Sequence, residues 1–129
     1  MTTPPPVSVR EYAVGARSTD VFGRVLCSAR EHEFLVDGPV QNGCRGEELT
    51  PPELFLAAVA SCGVELVQVI ARDEGRSIGP IRLAVDGKVD RSRQPRSDVT
   101  VFNELRMRFT IAGTDAAAAR ALVDGFKRR

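Results

Sequence analysis

The sequence predicts an α+β domain in which a mostly antiparallel sheet is built around one long apolar helix. Three observations carry that expectation. Residues 49–76 form an apolar run bracketed by helix start and stop signals, alternating segments flank it on both sides, and an Ala-rich helical segment closes the chain. At 129 residues the chain makes one domain, near the lower limit for enclosing a helix on every side, so a second subunit is the natural remedy.

Taken in order, residues 1–6, Met-Thr-Thr-Pro-Pro-Pro, read as a flexible or polyproline-like tail. Residues 7–14 alternate loosely, with Val7, Val9, Glu11 and Ala13 opposed to Ser8, Arg10, Tyr12 and Val14, which predicts an edge strand followed by a turn over 15–20. Strands are expected over 21–29 and 33–36, broken near Arg30-Glu31-His32 and ended by the Asp37-Gly38-Pro39 turn. Residues 40–48 have no period and form a loop.

The helix begins with a capping box: Thr50 as N-cap, Pro51 where a missing N–H costs nothing, and Glu53 as the reciprocal acceptor. Gly75 can take the left-handed position that closes it, giving about 24 residues and roughly 36 Å. Residues 54–60 are all apolar, so this half of the helix requires protein on every side. Glu65 and Gln68 interrupt the run and argue against a membrane span. Beyond the helix, 81–89 and 101–111 alternate as two half-buried antiparallel strands, joined by a polar connection over 90–97. Thr114 is the expected N-cap of a final helix over 115–123.

Eighteen basic and 17 acidic residues leave a net charge of +1, which argues against nucleic-acid or membrane-surface partners. No apolar segment follows a basic N-terminus, so a cytoplasmic protein is expected. Three cysteines, an odd number, point to free thiols in a reducing compartment. Cys27, His32, Cys44 and Cys62 lack metal-ligand spacing, and no Gly-rich phosphate loop is present, so neither a metal nor a cofactor is expected.

Cys62 near the middle of the helix admits two readings: a small apolar packing residue, or a nucleophile. Nothing in the helix itself activates it. Glu65, three residues on, shares its face and disfavours a thiolate there.

The block Thr50-Pro51-Pro52-Glu53-Leu54-Phe55-Leu56-Ala57-Ala58-Val59-Ala60-Ser61-Cys62 closely resembles the signature helix of the OsmC/Ohr family, named for osmotically inducible protein C and organic hydroperoxide resistance protein. The Phe34-Leu35-Val36-Asp37-Gly38-Pro39 strand and turn and the two later strands fall where that family has them, so the resemblance runs from about Val7 to Phe126 and describes 7–129 as a single OsmC-like domain. It implies an intertwined homodimer whose antiparallel sheets wrap a long buried central helix, with the active sites at the subunit interface. The implied activity is a thiol-dependent peroxidase that reduces organic hydroperoxides in oxidative-stress defence. Cys62 becomes a sulfenic acid, an arginine stabilises its thiolate, a glutamate near the helix start orients that arginine, and a dithiol reductant restores the thiol. On the matching positions the arginine is Arg17, with Arg24 as runner-up, and the glutamate is Glu53. The sequence departs from the pattern in two places. The family's glutamate usually stands ten residues before the cysteine, where this chain has Pro52 and only then Glu53; and no cysteine follows Cys62, although the family has one near its C-terminus. Cys44, beside Arg45 in a loop, is the substitute resolving thiol to consider. The alternative to an enzyme is a dimeric binding module or redox sensor of the same fold, with a structural Cys62.

Overall fold

The computed structural model describes residues 8–129; the expected N-terminal tail and Val7 lie outside the described residues. Two compact units divide the chain, Met1–Pro51 and Pro52–Arg129.

The first unit is an antiparallel three-stranded sheet of β1 (Gly15–Ser18), β2 (Arg24–Ala29) and β3 (His32–Asp37), in that spatial order. The expected strand over 7–14 is not formed: residues 8–14 are irregular and exposed, and pairing starts at Gly15, opposite Ser28. The reason lies in the turn. Gly23, with φ of 79°, takes the left-handed conformation, and Thr19 accepts and donates around it, its N–H and hydroxyl both reaching the Arg24 carbonyl. The hairpin therefore reverses over 19–23, and the expected turn at 15–20 becomes a strand. The second hairpin is tighter. Arg30 sits at φ of 55° and only Arg30-Glu31 separates the paired Ala29 and His32. A short 3-10 turn, Val40–Asn42, closed by Gly43 at φ of 82°, occupies part of the expected loop.

The second unit begins on α1 (Pro51–Asp73). Its end follows the expected chemistry: Gly75 is left-handed at φ of 67°, and the N–H groups of Gly75 and Arg76 reach back to the carbonyls of Arg72 and Ala71. This double bond pattern satisfies carbonyls the helix would otherwise leave open. β4 (Ile81–Lys88) and β5 (Glu104–Ile111) pair antiparallel, with Ile81 opposite Ile111, Leu83 opposite Phe109 and Val85 opposite Met107. The apolar face expected from alternation is thus one row of cross-strand pairs. β5 starts three residues later than expected because Gln94 and Asn103 hold the preceding segment: the Val101 N–H donates to Gln94 Oε1, and Asn103 Nδ2 donates to the Arg93 carbonyl. α2 (Ala116–Lys127) is capped by Asp115, whose carboxylate accepts from the Ala118 N–H at 2.7 Å, so the cap is one residue later than the expected Thr114.

Val67, Ile70 and Ala71 of α1 and Leu122 of α2 form the core of this unit, with Ile78, Ile81, Phe109, Ile111 and Phe126 packed on them. Gly63 lets the sheet approach α1. A Cβ there would fall 2.7 Å from Leu83 Cδ2 and 3.3 Å from Phe109 Cζ, closer than carbon atoms pack. By length and composition α1 could cross a membrane, yet its C-terminal half supplies most of this core. Its first half is not enclosed within a single chain: Phe55 is 51% exposed, and Ala57, Ala58, Ser61 and Cys62 are also exposed.

Candidate functional site

Helix periodicity positions the thiol. Phe55 precedes Cys62 by seven residues, about two turns, and Ala58 precedes it by about one, so the three share one face of α1. All three are exposed, and Glu65 extends the same face. In the single chain Cys62 is an exposed free thiol. Phe55 stacks on Phe102, ring centroids 5.3 Å apart at 19°, and makes an aromatic platform about 10 Å along the helix from the thiol. Phe102 in turn covers Gly87, where a Cβ would meet its ring at 2.5 Å.

Glu53 lies in the first turn of α1 and is exposed. Nine residues are about two and a half turns, so Glu53 and Cys62 occupy opposite sides of the helix. The helix thus brings Phe55 to the thiol's face but not Glu53.

The first unit holds the candidate arginines. Arg17 lies on β1 opposite Leu26, exposed, beside a shallow groove that Ser28, Arg30, Glu31 and Glu33 also line. It takes part in no salt bridge among the described residues. Arg24 is the opposite case. It stands directly across from Asp37 in the β2–β3 register, and its Nε and Nη2 donate to Oδ1 and Oδ2 at 2.8 and 2.9 Å. The Glu47 and Glu48 N–H groups donate to the same Oδ2 at 2.8 and 2.9 Å, so a carboxylate that is 1% exposed has four donors. The Arg24 hydrogen bond holds Asp37 well below the usual carboxylate range, against the opposing effect of burial, and the two N–H groups add to it. The same bond raises Arg24 further above its ordinary value.

This clasp was not foreseen as a site, although its signal was present. Counting six residues outward from each side of the Arg30-Glu31 turn sets Arg24 opposite Asp37. A carboxylate ending the apolar run Phe34-Leu35-Val36 needs such a partner to be buried.

Cys44 lies in the same unit, in the loop after the 3-10 turn, and is half-buried. Its sulfur fills a notch between Gly23 and Gly38; a Cβ on either glycine would collide with it, and the Gly38 N–H bonds the Gly23 carbonyl at 2.9 Å. Cys27, on β2, is half-buried as well, and all three cysteines are free thiols. His32 is exposed at the start of β3. Among the described residues no group of three or more His, Cys, Asp or Glu side chains is arranged to hold a metal ion.

A family model described as OsmC-like protein matches residues 44–129. A sequence comparison with curated proteins gives no match. Among solved structures, an OsmC-like protein from Mycoplasma pneumoniae superposes with a TM-score of 0.76 at 16% identity, over 93% of this chain and 82% of that one. An organic hydroperoxide resistance protein OsmC from Legionella pneumophila gives 0.73 at 17%, over 95% and 85%. An organic hydroperoxide resistance protein from Elizabethkingia anophelis gives 0.74 at 15%, over 94% and 84%. At these identities the likeness is one of fold.

Proposed function

The chain belongs to the OsmC-like protein family, and from that premise we propose that it is a thiol-dependent reductase of organic hydroperoxides that works as a homodimer in a reducing compartment such as the cytoplasm. The observation that carries this reading is the exposed Cys62 on the same helix face as the Phe55–Phe102 platform. An apolar surface two turns along the face of the thiol suits the organic group of the substrate better than it suits hydrogen peroxide.

In this reading the Cys62 thiolate attacks the terminal oxygen of ROOH. The O–O bond breaks, the leaving alkoxide takes a proton to become ROH, and the sulfur becomes a sulfenic acid. A dithiol reductant attacks that sulfur, releasing water and forming a mixed disulfide; its second thiol then resolves the bond and returns Cys62 as a thiolate. Arg17 is the arginine we assign to the thiolate, because Arg24 has its Nε and one Nη committed to Asp37. Glu53 faces away from Cys62 on its own helix, so it is given no part in the thiol chemistry. Cys44 is left out of the cycle, since its sulfur is lodged between two glycines.

The dimer is supported by the exposed apolar first half of α1, which a second subunit would cover. Consumption of cumene hydroperoxide with a dithiol reductant tests the reading. Cys62→Ser is expected to reduce the rate to the protein-free background, and an unchanged rate in that variant contradicts it and favours the non-catalytic module.

A further inference from the structure

A groove of about 450 Å³ runs between β5 and α2, entirely within the second unit. Its floor is apolar: Phe109, Ile111, Ala119 and Val123 are half-buried in it. Its rim is cationic, with Arg108 from the strand and Arg120 and Lys127 from the helix, against the single carboxylate of Asp124. None of these three cations enters a salt bridge among the described residues. Lys127 complements the carbonyl end of α2, but Arg120 in the helix interior and Arg108 on a strand have no such role.

We propose that this groove binds a small anionic amphiphile, an unbranched aliphatic chain ended by a carboxylate. Charge complementarity chooses the head group: a rim of three cations and one carboxylate on a chain of net charge +1 favours an anion locally without making the protein a general polyanion binder. The apolar floor chooses the tail. From Met107 to Ile111 the strand runs about 13 Å, which suits a short single chain, and the volume lies within the range of small-ligand sites. No residue of the groove carries a thiol, so the proposal stands apart from the peroxide chemistry.

The test is calorimetric titration of the full chain with sodium decanoate below its micellar concentration, beside decan-1-ol and decyltrimethylammonium, with amide NMR shifts locating the site. Saturable binding of one decanoate per chain is expected, with the largest shifts at Phe109, Ala119 and Val123. The alcohol should bind at least about tenfold more weakly, as the loss of one charge-assisted contact implies, and the ammonium not at all. Arg120→Ala/Lys127→Ala should weaken decanoate by a similar factor, Arg108→Gln should do so in part, and Arg91→Ala in the β4–β5 connection should change nothing. Equal binding of all three probes overturns the proposal, as does decanoate binding that the rim variants leave intact. So does a groove whose signals respond to protein concentration and not to decanoate, since a second copy then occupies it.

Discussion

Arg24 and Asp37 face each other across β2 and β3 and join through two parallel hydrogen bonds, while the Glu47 and Glu48 N–H groups close on the same carboxylate. One buried side chain thereby ties the sheet to the segment that leads into α1. Its partners are all within the first unit, and removing the charge leaves Arg24 and two backbone donors sharing one neutral oxygen where they had a carboxylate.

Asp37→Asn is therefore expected to lower the thermal midpoint clearly, while Arg17→Ala, an exposed change, leaves it nearly where it was. The pH dependence has a fixed sign. The folded carboxylate ionises below its unfolded value of about 3.9, so its contribution is complete above that value and is lost as pH falls through and below it. Denaturant midpoints measured between about pH 5 and pH 2 should converge for the wild-type and Asp37→Asn proteins as the acid limit is approached. Parallel curves contradict the clasp.

The notch around Cys44 gives a packing prediction. Gly38 has no left-handed backbone requirement, so Gly38→Ala acts only through the collision of its Cβ with the Cys44 sulfur. A loss of about 1–3 kcal/mol is expected in chemical denaturation. Cys44→Ala removes that sulfur and leaves a Cβ–Cβ approach of 3.2 Å, so the double variant should recover part of the loss, giving a coupling of about 0.5–3 kcal/mol. Additive single effects contradict the notch.

The exposed face of α1 gives a prediction about assembly. Sedimentation should find a particle of twice the 14.0 kDa chain, and Ala58→Glu, which places a charge one turn from Cys62, should shift it toward the monomer. A monomeric wild-type protein removes the dimer from the proposal.

How much of this was legible in the sequence depended on how local its cause was. The capping glycine Gly75, the apolar faces Leu83/Val85 and Met107/Phe109, and the stop at Asp37-Gly38-Pro39 follow from short-range chemistry, whereas the register that pairs those faces is set by the fold. The first strand was misplaced because alternation over 7–14 is indifferent to partner, whereas the Gly23 turn decides where β1 can pair. The α2 cap lies one residue later because Thr114 and Asp115 are both good caps, and nothing local chooses between them. The exposure of Cys62 was hidden by a composition that demands burial of the helix without saying which molecule supplies it. The Arg24–Asp37 clasp was readable only from hairpin register, and the notch at Cys44 only from coordinates, since nothing in the spacing of Gly23, Gly38 and Cys44 announces that they meet.

The central claim is that Cys62 is the atom that meets the peroxide, and trapping its sulfenic acid tests it most directly. The protein is treated with one equivalent of cumene hydroperoxide in the presence of dimedone, digested, and mapped by mass spectrometry. The account predicts the dimedone adduct on the peptide carrying Cys62, with Cys27 and Cys44 unmodified. An adduct on Cys44, or hydroperoxide consumed while Cys62 remains a free thiol, would contradict it.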